Sequence, residues 1–355
     1  MSQLSAFISC NAVQTSLMEA WAFDNNKLGN VSLTKFILSD VNRSDFLQRN
    51  INFRAGGYKS VEVIYDQRFL ENTVSDVGRI SCTTFSADGE TSQVYDIDPL
   101  VGASRGFSLT AEEVETRCQD DASYISKRVL KLMNVILEKI ETDAFVSAHA
   151  NIGNFADTGT TTAKTGATKT STGAIVTEML EEVSFQTRNN EWTVMPYVFG
   201  GRAWDNYRAA LNAACCGDLG IDAQVYDMQN KYNFMYTYKA DSELPTDTAL
   251  AIIPGTIQMI TFNELENPTL AMNDDALKQG TIIYPNATLL GGKGLKFDYR
   301  AEYRCTDGTG VKRWHFQVAL AYDFVYLPDD MYQASDRLNG VNGINEYQIV
   351  NPYTA

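Results

Sequence analysis

Histidine is almost missing: His149 and His315 are the only two in 355 residues. A three-histidine zinc centre therefore cannot form within one chain, and neither histidine sits in a paired catalytic motif, so structural roles are expected for both. The six cysteines, Cys10, Cys82, Cys118, Cys215, Cys216 and Cys305, contain no Cys-x-x-Cys spacing, which removes zinc-knuckle and thioredoxin-type chemistry and leaves buried free thiols of a reducing compartment as the expectation. No apolar run is long enough to cross a bilayer, and no Lys or Arg precedes Lys27, so a soluble intracellular product with no membrane partner is expected. Nucleotide loops are missing too. Leu290-Gly291-Gly292-Lys293-Gly294 lacks both the earlier glycine and the following Ser or Thr of a phosphate loop, and Gly340-Val341-Asn342-Gly343 lacks the rest of a dinucleotide fingerprint. The pairs Asp120-Asp121, Asp274-Asp275 and Asp329-Asp330 have no calcium-loop spacing around them. The sequence thus nominates no catalytic, cofactor-binding or metal-ligating residue, and no cofactor.

What is present is a formal charge of -15 with 44% hydrophobic residues. The first argues against general affinity for nucleic acid, and the second supplies real cores, enough for two or three compact units. The strongest local signal runs from Leu109 to Asn154. Thr110-Ala111-Glu112-Glu113 reads as a capping box, and apolar residues recur at Val114, Cys118, Ile125, Val129, Leu132, Met133, Ile136, Leu137 and Ile140 at helical spacing. Lys127, Arg128, Lys131, Glu138, Lys139 and Glu141 fall largely outside that stripe. Before it lies an acidic stretch with no lysine between Lys59 and Lys127, whose alternation at Val61, Val63 and Tyr65 predicts a strand within an extended loop or long hairpin. Residues 1–50 read as an arm with a short helix near 11–23.

After the long helix, residues 156–173 are a small-residue, low-complexity loop. A helix over 174–189, a strand over 192–199 and a helix across Trp204, Tyr207, Ala210 and Leu211 suggest a packed unit of mixed helix and strand. Residues 217–276 read as an insertion of short strands. Phe297, Tyr299, Ala301 and Tyr303 alternate with charged residues, and Trp314 to Tyr326 alternate likewise, which predicts a long antiparallel hairpin with its aromatics in a sheet core, not a base-stacking platform. From Pro328 on the chain reads as a polar tail.

This order of elements resembles the major capsid (coat) protein family of tailed bacteriophages, whose fold is shared with encapsulin shells and herpesvirus capsid floors. The resemblance implies an α+β fold with an N-terminal arm (1–50), an extended loop (51–108), a spine helix (109–155), a peripheral domain in two parts (156–216 and 277–330), an axial domain (217–276) and a C-terminal tail (331–355). It implies a non-enzymatic structural protein of the virion capsid, assembled in the host cytoplasm into hexamers and pentamers of an icosahedral shell around packaged double-stranded DNA. Partners would be further copies of the chain, scaffolding and portal proteins and decoration proteins, with the DNA enclosed but not bound sequence-specifically. Lysine-mediated cross-linking, used by some members, is not expected, because the loop holds no suitable lysine. Subunit contacts are expected between acidic loop residues, Glu71, Asp76 and Asp88 among them, and the basic cluster Lys127, Arg128 and Lys131 on the helix of a neighbour. Alternatives are an encapsulin-like shell around protein cargo and, from a different class, a hydrolase or carbohydrate-binding module.

Overall fold

The computed structural model describes residues 13–15, 17, 31–39, 60–66, 90–96, 102–110, 121–169, 171, 173–214, 233–266, 272–273, 276–285, 294–305, 312–327 and 338–350. Residues 13–15 and 17 are helical, within the short helix expected there, and Val13 and Leu17 are buried. Helix α1, Ser32–Leu38, follows. Strands β1 (Ser60–Asp66) and β2 (Glu90–Asp96) pair antiparallel, from Ser60 opposite Asp96 to Asp66 opposite Glu90, and form a two-stranded sheet of their own. Strand β3 (Gly102–Thr110) leads into helix α2 (Asp121–Ala150). Then come β4 (Lys164–Ala167), helix α3 (Glu178–Asn189), β5 (Tyr197–Gly200), helix α4 (Arg202–Ala214), β6 (Asn233–Tyr236), helix α5 (Tyr238–Glu243), β7 (Thr248–Ile252) and β8 (Ile257–Phe262). The chain ends on β9 (Met272–Asn273), β10 (Leu277–Ile283), β11 (Lys296–Cys305), β12 (Lys312–Tyr326) and β13 (Ile344–Val350).

Two sheets organise these elements. A six-stranded sheet runs β3-β12-β11-β10-β9, with β8 pairing along the distal half of β12. The expected hairpin is there: β11 and β12 pair from Asp298 opposite Ala319 to Cys305 opposite Lys312, and Phe297, Tyr299, Ala301, Trp314, Phe316, Val318 and Leu320 are all buried on one face. Helix α2 lies on that face, 30 residues long, or about 45 Å at 1.5 Å per residue. Ile125, Val129, Met133, Ile136, Leu137, Ile140, Ala144 and Ala148 keep a spacing of three and four and are nearly inaccessible, so the helix gains its stability from tertiary burial more than from propensity. Helices α1 and α5 pack on other flanks of α2. Three tyrosine hydroxyls reinforce the docking: Tyr284 donates to Asn134 at 2.9 Å, Tyr322 to Asp143 at 2.5 Å and Tyr326 to Ser147 at 2.6 Å. Among the described residues no helix is long and apolar enough to cross a membrane.

The second sheet has five strands in the order β4-β13-β7-β5-β6. One face, with Phe199, Leu250, Ile252 and Ile344, joins the core around α2. The other, with Val198, Ala249, Ala251, Tyr347 and Ile349, closes a smaller core with Met179, Leu180 and Val183 of α3 and Trp204, Tyr207 and Leu211 of α4.

The structure revises four expectations. The long helix does not start at Leu109: Leu109 and Thr110 end β3, where Leu109 is buried opposite Trp314, and nine residues of ladder with β12 outweigh one local capping motif. Glu113 lies outside the described residues. At its other end the helix stops at Ala150, and Asn151 opens a turn. The loop 156–173 contributes β4, parallel to β13; small residues suit it, since a Cβ on Gly166 would lie 2.5 Å from the Met179 sulfur. The segment 217–276 is not a separate unit, because β6 and β7 belong to the five-stranded sheet while β8 and β9 belong to the six-stranded one. The polar tail holds β13, a strand flanked by β4 and β7 and covered on both faces, and so without the one-sided alternation that marks a surface strand.

Candidate functional site

No three His, Cys, Asp or Glu side chains come together to hold a metal among the described residues. The surfaces and joints around α2 carry the charged chemistry instead. Glu141 is fully buried on α2 and accepts from the Leu33 amide at 3.0 Å and from the Thr34 amide and hydroxyl, each at 2.7 Å. Val31 provides no side-chain cap for α1, so a carboxylate more than a hundred residues away takes over two of the orphan donors of its first turn. Burial holds the Glu141 carboxyl above its ordinary range, opposed by those amides and the Thr34 hydroxyl. Pattern reading placed Glu141 with the solvent-facing charges; only knowledge of what crosses α2 would have shown otherwise.

The basic residues expected at a subunit contact lie within one turn of α2. Arg128 and Lys131 are exposed and Lys127 half-buried; Arg128 donates to the Tyr124 hydroxyl at 3.0 Å and lies 5.4 Å from the centre of its ring. Their expected counterparts Glu71, Asp76 and Asp88 fall outside the described residues. Farther along, Val135 and Val146 are about half exposed, which leaves apolar surface on the outward side of the helix.

The end of α2 is locked to the C-terminal strand. His149 Nδ1 is 3.1 Å from Oε1 of Glu346 on β13. Burial raises the Glu346 carboxyl, and the nearby imidazole opposes the shift. This gives His149 a carboxylate neighbour that spacing alone could not reveal. Around the pair, asparagines hold the turn after the helix: Asn342 donates to the Asn151 carbonyl at 2.8 Å and accepts from the Ile344 amide at 3.0 Å, while Asn190 donates to Asn345 at 3.1 Å. The Gly153 amide donates to the Ile344 carbonyl at 2.8 Å. Gly343 has φ +83°, and a Cβ there would lie 2.4 Å from Thr256 Cγ2, so both the backbone and the space require glycine. His315 lies on β12 between buried Trp314 and Phe316, on the opposite, outer face of the six-stranded sheet, as its position in the alternation predicts.

No protein-family model matches the chain, and no curated protein does. Solved structures do. The mature capsid of bacteriophage PhiM1 matches with 5% identity over 83% of each chain and a TM-score of 0.44. Capsids are what the chain is similar to. The capsid of Ralstonia phage GP4 has 8% identity, covering 89% of this chain and 87% of that one, with a TM-score of 0.40. A capsid of an empty GTA particle has 9% identity, with 88% and 91% covered and a TM-score of 0.39. At identities and scores this low the likeness transfers no residue roles, and the functional reading rests on the geometry of the chain itself.

Proposed function

We propose that the chain is a major capsid protein of a tailed bacteriophage, a structural and not a catalytic protein, that assembles into hexamers and pentamers of an icosahedral shell around double-stranded DNA. The observation that carries the reading is the β1–β2 hairpin: seven paired positions that join no third strand among those described, set ahead in the sequence of the strands that build the two larger sheets. A two-stranded sheet is marginal in water by itself, so such an element gains most by lying on another copy. The body supports the same reading. Helix α2, buried along most of its length and tied down in its C-terminal third through Glu141 and just beyond its end through Asn342, makes a stiff beam, suited to transmitting load between neighbours.

In this reading α3 and α4 move from the peripheral part, where 156–216 was expected, to the axial one: the six-stranded sheet with α2 forms the peripheral part of the subunit, and the five-stranded sheet, whose smaller core includes α3 and α4, forms the part nearer the capsomer axis. The acidic loop crosses a neighbour, where Glu71, Asp76 and Asp88 face Lys127, Arg128 and Lys131 of α2. Exposed ion pairs contribute about 0–1 kcal/mol each, but a shell repeats them many times. The net charge of -15, where it extends to the inner surface, lets DNA enter without adhering. Scaffolding, portal and decoration proteins are further partners, and the host cytoplasm is the place of assembly.

Changing Glu71 and Asp76 together to Lys is expected to impair particle formation while the melting curve of the subunit stays near that of the parent, and Lys127→Glu with Lys131→Glu is expected to restore part of it. Particles that form normally from the first double variant would contradict the contact. Electron microscopy of the expressed chain separates the readings at a coarser level: closed shells support a capsid or an encapsulin-like container, co-purified DNA or protein cargo decides between those two, and a dispersed monomer with measurable hydrolase or sugar-binding activity would overturn both.

A further inference from the structure

Helix α3 and the turn after it carry an apolar patch that neither core uses. Phe185, Val194 and Met195 are each about half exposed. Val194 and Met195, with Thr187, Trp192 and Pro196, line an open hollow of about 530 Å³ on one flank of the helix, within the size range of ligand pockets. The turn that shapes it is fixed. Glu191 takes the left-handed conformation at φ 60°, its amide donates to the Arg188 carbonyl at 2.9 Å, and the Trp192 amide donates to the Thr187 carbonyl at 3.0 Å. Gly343 backs the Trp192 ring, since a Cβ there would lie 3.1 Å from Trp192 Cζ2.

Phe185 does not line that hollow, whereas Ser184 and Thr187 do. At 3.6 residues per turn, its side chain leaves the helix about 100° from that of Ser184 and about 160° from that of Thr187. Helix α3 thus carries an exposed aromatic knob on one flank and an apolar hole on the other. The charges divide the same way. Glu178 and Glu181 are exposed and lie within about 40° of Phe185 around the helix. Arg188 instead stands at the hollow, exposed, its Nε donating to the Ser184 carbonyl at 3.3 Å. A knob and a hole on different flanks of one helix do not fill each other, but two copies side by side offer each the complement it lacks, with acid facing base beside it. Contiguous apolar surface of this kind marks a contact.

We propose that Phe185 of one copy of the chain seats in the Trp192–Met195 hollow of the next, with Glu181 of the first meeting Arg188 of the second, and that this head-to-tail contact closes a ring of copies. The inference rests on the reading that α3 belongs to the part of the subunit nearer the capsomer axis. Because the two surfaces differ, the interface is heterologous, and a heterologous interface builds a ring when its rotation closes. An aromatic anchor in an apolar pocket is the kind of residue that dominates an interface, while charges at the rim set register more than affinity.

The test uses the full chain as Phe185→Cys, Met195→Cys and the double variant, oxidised mildly after assembly and run on a non-reducing gel beside the parent, whose own six cysteines set the background. The double variant is expected to give a reducible ladder ending at the pentamer and hexamer, each single variant nothing beyond the parent, and a mixture of the two single variants dimers only. A ladder that stops at the dimer in the double variant makes the contact two-fold, a bond closed within single chains places both residues together in one copy, and a pattern like the parent's finds no contact; each of these overturns the proposal. Phe185→Ala should raise the protein concentration needed for assembly about tenfold or more while the subunit melts as the parent does, because the side chain is exposed; assembly at the parent's concentration overturns the proposal as well. Electron microscopy of the same samples separates this contact from the shell reading: closed shells without a ladder keep the shell and remove the contact, and a ladder to the hexamer from chains that never close a shell keeps the contact and removes the shell.

Discussion

Removing the Glu141 carboxylate would strand the Leu33 amide and both donors of Thr34 in a buried joint. An unmet buried donor costs about 1–3 kcal/mol, so Glu141→Ala is expected to lose about 3 kcal/mol or more by chemical denaturation, with faster hydrogen exchange at Leu33 and Thr34. Glu141→Gln keeps one acceptor oxygen and should lose less than half as much; equal losses would show that shape and not hydrogen bonding holds the joint. Asp298 offers a second test. It accepts from the Glu264 and Leu265 amides at 2.9 and 3.1 Å, yet burial pushes its carboxyl up to about 6 from 3.8. Because the folded form holds the proton more tightly, this group's contribution is fully present below pH 4 and is lost as pH rises through 6. Asp298→Asn keeps an acceptor and removes the titration, so its stability between pH 4 and 7 should be flatter than the parent's, by on the order of 2 kcal/mol. Parallel curves for the two proteins would contradict this assignment. Glu141 and Glu346 are raised in the same direction and should add to the parent's slope.

Among the elements, α2 and the β11–β12 hairpin were legible in the sequence because each is amphipathic with its own period, so the residues that face the core announce themselves. The prediction that follows is local: Ile136, 1% exposed, should lose about 2–5 kcal/mol on replacement by alanine, whereas Val135, 49% exposed, should lose less than about 0.5 kcal/mol. Similar losses at both would remove the assignment of faces. Strand β13 was not legible. Its partners β7 and β4 lie roughly a hundred or more residues earlier, both of its faces are covered, and of its polar residues Asn345 is hydrogen-bonded by Asn190 while Glu346 lies 3.1 Å from His149. A polar composition reads as a tail until those partners are known. Glu141 was hidden for the same reason, its partners being on α1. Asn342, which holds the turn after α2 by two hydrogen bonds, should on replacement by alanine destabilise β13 and the 151–156 segment together, seen as coupled loss of exchange protection; independent loosening of either one would show that the lock is not shared.

For the whole molecule, composition and element order were enough to suggest a mixed fold of helix and sheet, while the division into two sheets was not, because segments 197–200, 233–252 and 344–350 meet only in space. The subunit contacts proposed for Glu71, Asp76 and Asp88 against Lys127, Arg128 and Lys131 remain tied to charge and to the hairpin that stands apart from both sheets. The central claim is that the hairpin works between copies and not within one. Electron microscopy of the full chain beside a variant in which residues 60–96 are replaced by a short Gly-Ser linker tests it most directly. The expected result is closed shells of uniform diameter from the parent and dispersed, normally melting subunits from the variant; shells from the variant, or a parent that remains dispersed while the variant does too, would contradict it.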